Sequence, residues 1–188
     1  MKRLGRYLQQ QPRLVYKYPW QDISHVDVYS DTDWAGCVRT RKSTSGGISF
    51  IGGHAIKSWS TNQNIIALSS AEAELYALLK GASQSLGWQS MANDFGDNLS
   101  IGLYSDASAA IAISQRTGLG KLRHIQTQYL WLQERVSRKD LSLTKVVGTA
   151  NPADMLTKAV DSNTLNTHLQ YSGLAVQQGR ADGALDVG

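Results

Sequence analysis

The tripeptide Tyr-Ser-Asp occurs twice in the chain, at residues 29–31 and at 104–106. Each copy ends a run in which apolar and polar residues alternate, a pattern that predicts a β-strand. If the two strands are parallel neighbours, Asp31 and Asp106 lie side by side at the edge where open α/β sheets bind ligands. Adjacent carboxylates repel unless a cation lies between them, so the pair indicates a metal site. Either aspartate alone could be an ordinary turn residue.

Two further acids are candidates for the same site. Glu74 lies one turn into a helix predicted over 69–88, at the edge of its apolar stripe, while Glu72 forms a capping box with Ser69. Asp154 follows Asn151-Pro152, a pair that typically caps and opens a helix. An aspartate in a first helical turn is also favoured by the helix dipole alone. Asp154 by itself is therefore weaker evidence for a metal site.

The elements that must position these acids follow an α/β order. Strand and helix periodicities predict three strands, a helix, a strand, two helices, a strand and a final helix, which gives a mixed five-stranded sheet flanked by helices. The second Tyr-Ser-Asp strand follows a helical crossover, so it should run parallel to the first. The predicted strands are 25–30, 47–51, 55–60, 101–105 and 141–147, and the predicted helices are 69–88, 108–114, 124–136 and one that begins at 151.

Six segments together resemble the successive motifs of one family. The ribonuclease H domains of copia-type LTR retrotransposon reverse transcriptase polyproteins have similar motifs in the same order, and the resemblance covers about residues 20 to 160. It implies a ribonuclease H-like fold in which Asp31, Glu74, Asp106 and Asp154 are catalytic and bind metal. It also implies that Asp33 and Glu72 are the non-catalytic members of their pairs. The segments are YSDTDWAG at 29–36, RKSTSGG at 41–47, ALSSAEAELYAL at 67–78, LYSDASAAI at 103–111, LRHI at 122–125 and NPADMLTKA at 151–159.

The resemblance implies an activity and a set of partners. The expected enzyme is an endoribonuclease that hydrolyses the RNA strand of RNA–DNA hybrids with two Mg²⁺ ions, for which Mn²⁺ can substitute. Its expected partners are the hybrid and the reverse transcriptase domain of the same polyprotein, and the isolated domain is expected to be monomeric. Two alternatives stay open: a catalytically inactive ribonuclease H-like module that binds nucleic acid or is structural, and a DNA nuclease or integrase-like enzyme on the same general fold.

Candidate substrate contacts come from three short segments. The helix that carries Glu74 should offer its free N–H groups to a phosphate, although its first serine could simply be the helix cap. A basic turn after the first strand could follow backbone phosphates, and polar residues before the helix could contact 2′-hydroxyls. His124, in the LRHI segment, is expected to be structural or to contact phosphate. The substrate-binding candidates are Ser69, Ser70, Arg39, Arg41, Lys42, Asn62 and Gln63.

Composition and length limit the remaining possibilities. The chain has 188 residues, a net charge of +4 and one cysteine, Cys37, which excludes an internal disulfide and a cysteine-rich zinc site. The positive charge is compatible with a polyanionic partner. We expect a leader or linker from the reverse transcriptase side over 1–20, a ribonuclease H domain over 21–172 and a disordered tail over 173–188. No stretch is long and apolar enough for a membrane span, so we expect an intracellular protein without a membrane partner.

Overall fold

The computed structural model describes residues 13–118 and 128–177, together with Arg6. Its main sheet has five strands in the order β4-β3-β2-β5-β6, in which β3 is antiparallel to both neighbours whereas β5 and β6 run parallel to β2. This confirms the predicted mixed five-stranded sheet. In chain order the elements are β1 (Leu14–Tyr16), β2 (His25–Asp33), β3 (Thr44–Ile51), β4 (His54–Asn62), α1 (Ser70–Asp94), β5 (Ser100–Ser105), α2 (Ser108–Gln115), α3 (Gln128–Ser137), β6 (Ser142–Lys145), 3₁₀ helices at Gly148–Ala150 and Pro152–Leu156, α4 (Ser162–Tyr171) and β7 (Leu174–Val176).

Helix α1 packs closely on the centre of the sheet. Its main contacts are with β2, β3 and β5, and the fully buried Leu78 belongs to a core cluster with Val28 and Leu103. Gly81 permits this close packing, because a Cβ atom at that position would lie 2.8 Å from the Leu103 Cδ1 atom. The helix begins at its N-cap, Ser69, whose side chain accepts a hydrogen bond from the Glu72 N–H at 3.2 Å. This cap defines where α1 begins, so that Glu74 lies in its second turn.

A second apolar cluster contains aromatic side chains from β2, β3 and β5. The rings of Tyr29 and Tyr104 stack with centroids 4.7 Å apart, and Phe50 packs edge-on against Tyr29. Tyr171 of α4 contacts both Tyr29 and Phe50, and its hydroxyl lies 2.6 Å from that of Tyr29. Ala153 belongs to the same cluster, so the short 3₁₀ helix that contains it is anchored by apolar burial as well as by hydrogen bonds.

The two ends of the described chain pair with each other, which differs from the sequence expectation. Strand β1 lies within the segment predicted as a leader, and β7 lies within the segment predicted as a disordered tail, yet the two form an antiparallel pair. Main-chain hydrogen bonding brings them together across about 160 residues, and local composition does not indicate such pairing. The helix expected after Asn151-Pro152 is a short 3₁₀ helix, while His124 and the rest of the LRHI segment lie outside the described residues.

Within the described ranges, no helix is both long enough and apolar enough to cross a membrane.

Candidate active site

Three acidic side chains converge at one edge of the sheet. One ligand atom from each of Asp31, Glu74 and Asp106 can be chosen so that all three atoms lie within 4.8 Å of one another. Asp31 lies near the end of β2 and is 2% exposed, Asp106 directly follows β5, and Glu74 projects from the second turn of α1. Such a cluster of hard carboxylate oxygens is the donor set that Mg²⁺ and Mn²⁺ prefer.

Strand register explains why the two aspartates meet. β2 and β5 run parallel, with Tyr29 paired to Tyr104, so the residue two positions further along each strand reaches the same edge. The same tripeptide at equal register therefore places Asp31 opposite Asp106. Glu74 reaches the edge from the helix that crosses over between these strands. Sequence reasoning predicted this juxtaposition from the two Tyr-Ser-Asp copies.

Asp154 stands beside this cluster and is linked to it through a lysine. It lies in the 3₁₀ helix Pro152–Leu156, and its Oδ2 atom is 3.1 Å from the Lys158 ammonium. The same ammonium lies 3.8 Å from Asp31 Oδ2. Asp154 does not belong to the group of three acids that lie within 4.8 Å of one another. Its other oxygen, Oδ1, is buried and makes no hydrogen bond in the described structure, so it is open to a further cation.

Asn151 attaches the 3₁₀ helix to the strand that carries Asp31. Its fully buried side chain donates a hydrogen bond from Nδ2 to the Ser30 carbonyl at 3.0 Å, and its Oδ1 atom accepts one from the Ala153 N–H at 3.1 Å. The first bond fixes the helix to the residue before Asp31, and the second caps the helix. The predicted cap thus has a second role in positioning the site, which periodicity alone could not indicate.

Thr157 and Gly46 complete the contacts between the 3₁₀ helix Pro152–Leu156 and the sheet. The Thr157 hydroxyl donates a hydrogen bond to Asp31 Oδ2. Gly46 is the β3 residue paired with Asp31, and a Cβ atom there would lie 2.6 Å from Thr157 Cγ2 and 3.1 Å from the Ala153 carbonyl oxygen. A side chain at residue 46 would therefore push the helix away from the sheet. Neither residue was singled out from the sequence, although both lie within quoted motifs.

We expect Asn151→Ala to destabilise the domain by about 2–4 kcal/mol, because it removes a buried hydrogen bond to the Ser30 carbonyl and the helix cap. The measurement is urea unfolding in EDTA, which separates folding from metal binding. Asn163→Ala is the matched control, since that side chain is exposed in the first turn of α4. Equal stability of the two variants would show that Asn151 does not anchor the 3₁₀ helix.

Burial, together with crowding of negative charge, raises the pKa values of the clustered acids. Burial, together with the charges of Asp31 and Asp106, raises the pKa of Glu74 to about 8. Burial is also the main cause that raises the pKa of Asp31, with Asp154 adding to it, and burial and Asp31 raise the pKa of Asp106. One oxygen of Glu74, Oε2, is buried without a hydrogen-bond partner. The metal-free site is therefore electrostatically strained, and binding of a cation would relieve that strain.

Comparisons with known proteins bear on the family and the fold of the chain. No family model matches the chain. Over 148 residues it is 33% identical to the Retrovirus-related Pol polyprotein from transposon TNT 1-94 of Nicotiana tabacum, a match that covers 78% of this chain. A second relative, the Pol polyprotein from transposon RE2 of Arabidopsis thaliana, is 30% identical over 162 residues, or 84% of this chain. The solved structure of LC11-RNase H1, isolated from compost by a metagenomic approach, superposes with a TM-score of 0.51 at 14% identity and covers 78% of this chain and 99% of that one.

The chain is a homologue of copia-type Pol polyproteins and has a ribonuclease H-like fold. This confirms both the family resemblance and the fold predicted from the sequence. The ribonuclease H-like domain spans about 11% of the length of each of the two polyproteins named above.

Five of the predicted substrate contacts of this ribonuclease H-like domain lie in the basic turn after β2 and at the start of α1. Arg39 and Arg41 are exposed and Lys42 is half-buried, in a turn closed by a hydrogen bond from the Arg41 N–H to the Cys37 carbonyl at 2.7 Å. Ser69 and Ser70 are exposed at the start of α1, where Ser69 also caps the helix. These five side chains are placed where an incoming ligand could reach them.

Asn62 and Gln63 differ from each other. Asn62 is exposed and accepts a hydrogen bond from the Thr44 hydroxyl at 3.2 Å. Gln63 is 8% exposed, and its Nε2 atom donates to Ser45 Oγ and to the Ala73 carbonyl, both at 2.9 Å. These internal hydrogen bonds join β3 to the first turn of α1. Gln63 therefore has a structural role in the described chain, which the sequence, where it reads as a polar loop residue, did not indicate.

Proposed function

We propose that this domain is a metal-dependent endoribonuclease that hydrolyses the RNA strand of RNA–DNA hybrids as part of a retrotransposon reverse transcriptase polyprotein. The observation that carries the proposal is the convergence of Asp31, Glu74 and Asp106, with Asp154 beside them, on a ribonuclease H-like fold. The homology to Pol polyproteins supports the same context. The reverse transcriptase domain of that polyprotein is the proposed covalent partner.

The donor set fits a pair of divalent cations. Asp31, Glu74, Asp106 and Asp154 offer only carboxylate oxygens, and two of those oxygens, on Glu74 and Asp154, are buried without a hydrogen bond. Hard cations such as Mg²⁺ and Mn²⁺ prefer oxygen ligands of this kind. When bound, such ions supply an activated water and stabilise the charge on the leaving 3′ oxygen. We propose these four residues as both metal ligands and catalytic residues.

The protein's own residues prepare the site for this chemistry. The Thr157 hydroxyl orients the Asp31 carboxylate, and the Asn151 side chain fixes the distance between β2 and the 3₁₀ helix. Glu74, whose pKa is about 8, must lose its proton before it can bind a cation, so metal binding near pH 7 should release protons. Ser69 and Ser70, at the positive end of the α1 dipole, are proposed to face a phosphate of the DNA strand.

The exposed basic turn is proposed to contact the nucleic-acid backbone. Arg39 and Arg41 project into solvent at the loop after β2, the strand that carries Asp31. Long cationic side chains in this position would bind phosphates without reading sequence. Contacts with 2′-hydroxyls would then distinguish the RNA strand from DNA. Asn62, which is exposed at the end of β4, stays a candidate for such a contact.

The test compares three duplexes of one sequence: an RNA–DNA hybrid, a double-stranded RNA and a double-stranded DNA, each incubated with Mg²⁺, Mn²⁺, Ca²⁺ or EDTA. We expect cleavage of the hybrid alone, with Mg²⁺ or Mn²⁺. Ca²⁺ should support binding with little turnover, because its larger and looser coordination sphere misplaces water and phosphate. Equal cleavage of all three duplexes, or cleavage in EDTA, would overturn the proposal. Hybrid binding without cleavage under every condition would favour the inactive module.

A further inference from the structure

A lysine ammonium lies against the carboxylates of the candidate active site. Lys158 follows Asp154 by four residues, and its Nζ atom is 3.1 Å from Asp154 Oδ2 and 3.8 Å from Asp31 Oδ2. Asp31 is nearly fully buried at the end of a central strand, whereas the side chain of Lys158 is 47% exposed. The ammonium therefore bridges two acids from different elements, with its stem reaching in from solvent. None of the activity proposed above requires this residue.

The charges around the lysine explain why it lies there. Burial works to lower the pKa of Lys158, but Asp31, Asp154 and Asp106 outweigh that effect and raise it. Conversely, Lys158 works to lower the pKa values of Asp31, Glu74 and Asp106. At these two distances the lysine ammonium offsets part of the repulsion among the acids.

We propose that Lys158 is an internal counter-cation of the carboxylate site, which stabilises the metal-free domain and competes with divalent metal for Asp31 and Asp154. The competition rests on the proposed metal site and follows from the two distances. A divalent ion bound at about 2.0–2.1 Å to these oxygens would use the same lone pairs and would repel the ammonium. The half-exposed, flexible stem of Lys158 allows the ammonium to withdraw into solvent when metal enters.

Three variants test the proposal in the full chain. Lys158→Met removes the charge and keeps the apolar stem, and Lys158→Arg keeps the charge. Lys57→Met removes the same charge from an exposed position on β4. Thermal unfolding is recorded in EDTA and then across a Mg²⁺ titration, which gives the Mg²⁺ concentration at half-maximal stabilisation.

Lys158→Met is expected to lower the melting temperature in EDTA by about 2–4 °C, because the carboxylates lose their counter-charge. The same variant should reach half-maximal stabilisation at roughly fivefold lower Mg²⁺, because its competitor is gone. Lys158→Arg and Lys57→Met should stay close to wild type in both measurements. A merely structural lysine would lower the melting temperature but would leave the Mg²⁺ midpoint unchanged.

The outcomes separate this inference from the proposed function. If wild type is stabilised by Mg²⁺ but Lys158→Met shows an unchanged or higher midpoint, the competition is refuted while the metal site stands. If wild type shows no stabilisation by Mg²⁺, the metal site and the competition both fail. If Lys158→Met does not fold, Lys158→Gln is measured in its place, and a midpoint equal to that of wild type refutes the proposal.

Discussion

Asp31→Asn is expected to reduce cleavage of an RNA–DNA hybrid by roughly 10³-fold or more, while the melting temperature in EDTA stays level or rises slightly. The substitution keeps the shape of the side chain, and its amide oxygen can still accept the hydrogen bond from Thr157. It removes a buried negative charge whose pKa is raised by burial and by Asp154, so the metal-free fold loses a source of repulsion. Activity falls because an amide oxygen is a poor substitute for a carboxylate ligand.

In Mg²⁺ wild type should be more stable than Asp31→Asn. Wild type gains stability from metal binding by mass action, and Asp31→Asn gains less. Asp106→Asn should behave in the same way, because burial and the charge of Asp31 raise the pKa of Asp106 as well. Hybrid cleavage is measured under single-turnover conditions, and melting temperatures are measured in parallel in EDTA and in Mg²⁺.

Two acids next to the site in sequence are the matched controls. The Asp33 carboxylate folds back over Gly36, where an added Cβ atom would overlap it at 1.8 Å, so Asp33→Asn should retain activity. The Glu72 carboxylate accepts a hydrogen bond from the Leu68 N–H at 2.7 Å, a contact that the amide oxygen of Glu72→Gln can also make. If Asp31→Asn and Asp33→Asn behave alike, or if Asp106→Asn unfolds in EDTA, the aspartates are structural and the metal site is wrong.

The second large effect is a pH dependence of stability that comes from Glu74. Its pKa rises from 4.5 to about 8 in the folded, metal-free domain. Below both values the side chain is protonated in the folded and unfolded states, so it does not affect stability. As pH rises from 4.5 to about 8, the unfolded chain releases the proton while the folded domain retains it, so stability is progressively lost. Above about 8 the loss is complete and stays constant.

Glu74→Gln removes this titration, so its advantage in melting temperature over wild type should grow across the same pH range and then level off. We expect a final difference of about 4–8 °C in EDTA. The measurement is a series of thermal unfolding curves from pH 4 to 9, with Glu72→Gln as the control. In Mg²⁺ the higher melting temperature of Glu74→Gln relative to wild type should disappear, because metal binds the ionised carboxylate of Glu74. Parallel curves for Glu74→Gln and wild type in EDTA would contradict the assigned environment of Glu74.

Much of the fold and the core of the site followed from local sequence patterns. Alternation and helical spacing predicted the five strands and helix α1, and the repeated Tyr-Ser-Asp predicted the meeting of Asp31 with Asp106. Such patterns succeed because strand and helix periods mark which faces are buried, and equal strand positions imply equal register. Asn151 was predicted as a cap for the same reason, since capping depends on neighbouring residues only.

Features that depend on distant neighbours could not be predicted in this way. Nothing local in residues 14–16 indicates that they pair with 174–176. Gln63 reads as a loop residue until the structure places Ser45 and the Ala73 carbonyl beside it. Lys158 reads as a solvated lysine until Asp31 is found 3.8 Å away. In each case the partner residue is distant in sequence and is brought close by folding. Composition and residue spacing therefore cannot predict the contact.

We propose that the clustered carboxylates carry out hydrolysis of the RNA strand of a hybrid. It is tested most directly with a hybrid whose RNA and DNA strands carry different labels, incubated in Mg²⁺ with wild type, Asp31→Asn or Asp33→Asn. We predict that wild type and Asp33→Asn cut the RNA strand, that neither cuts the DNA strand, and that Asp31→Asn cuts neither. Cleavage of the DNA strand by wild type, or cleavage of RNA by Asp31→Asn at the wild-type rate, would contradict the account.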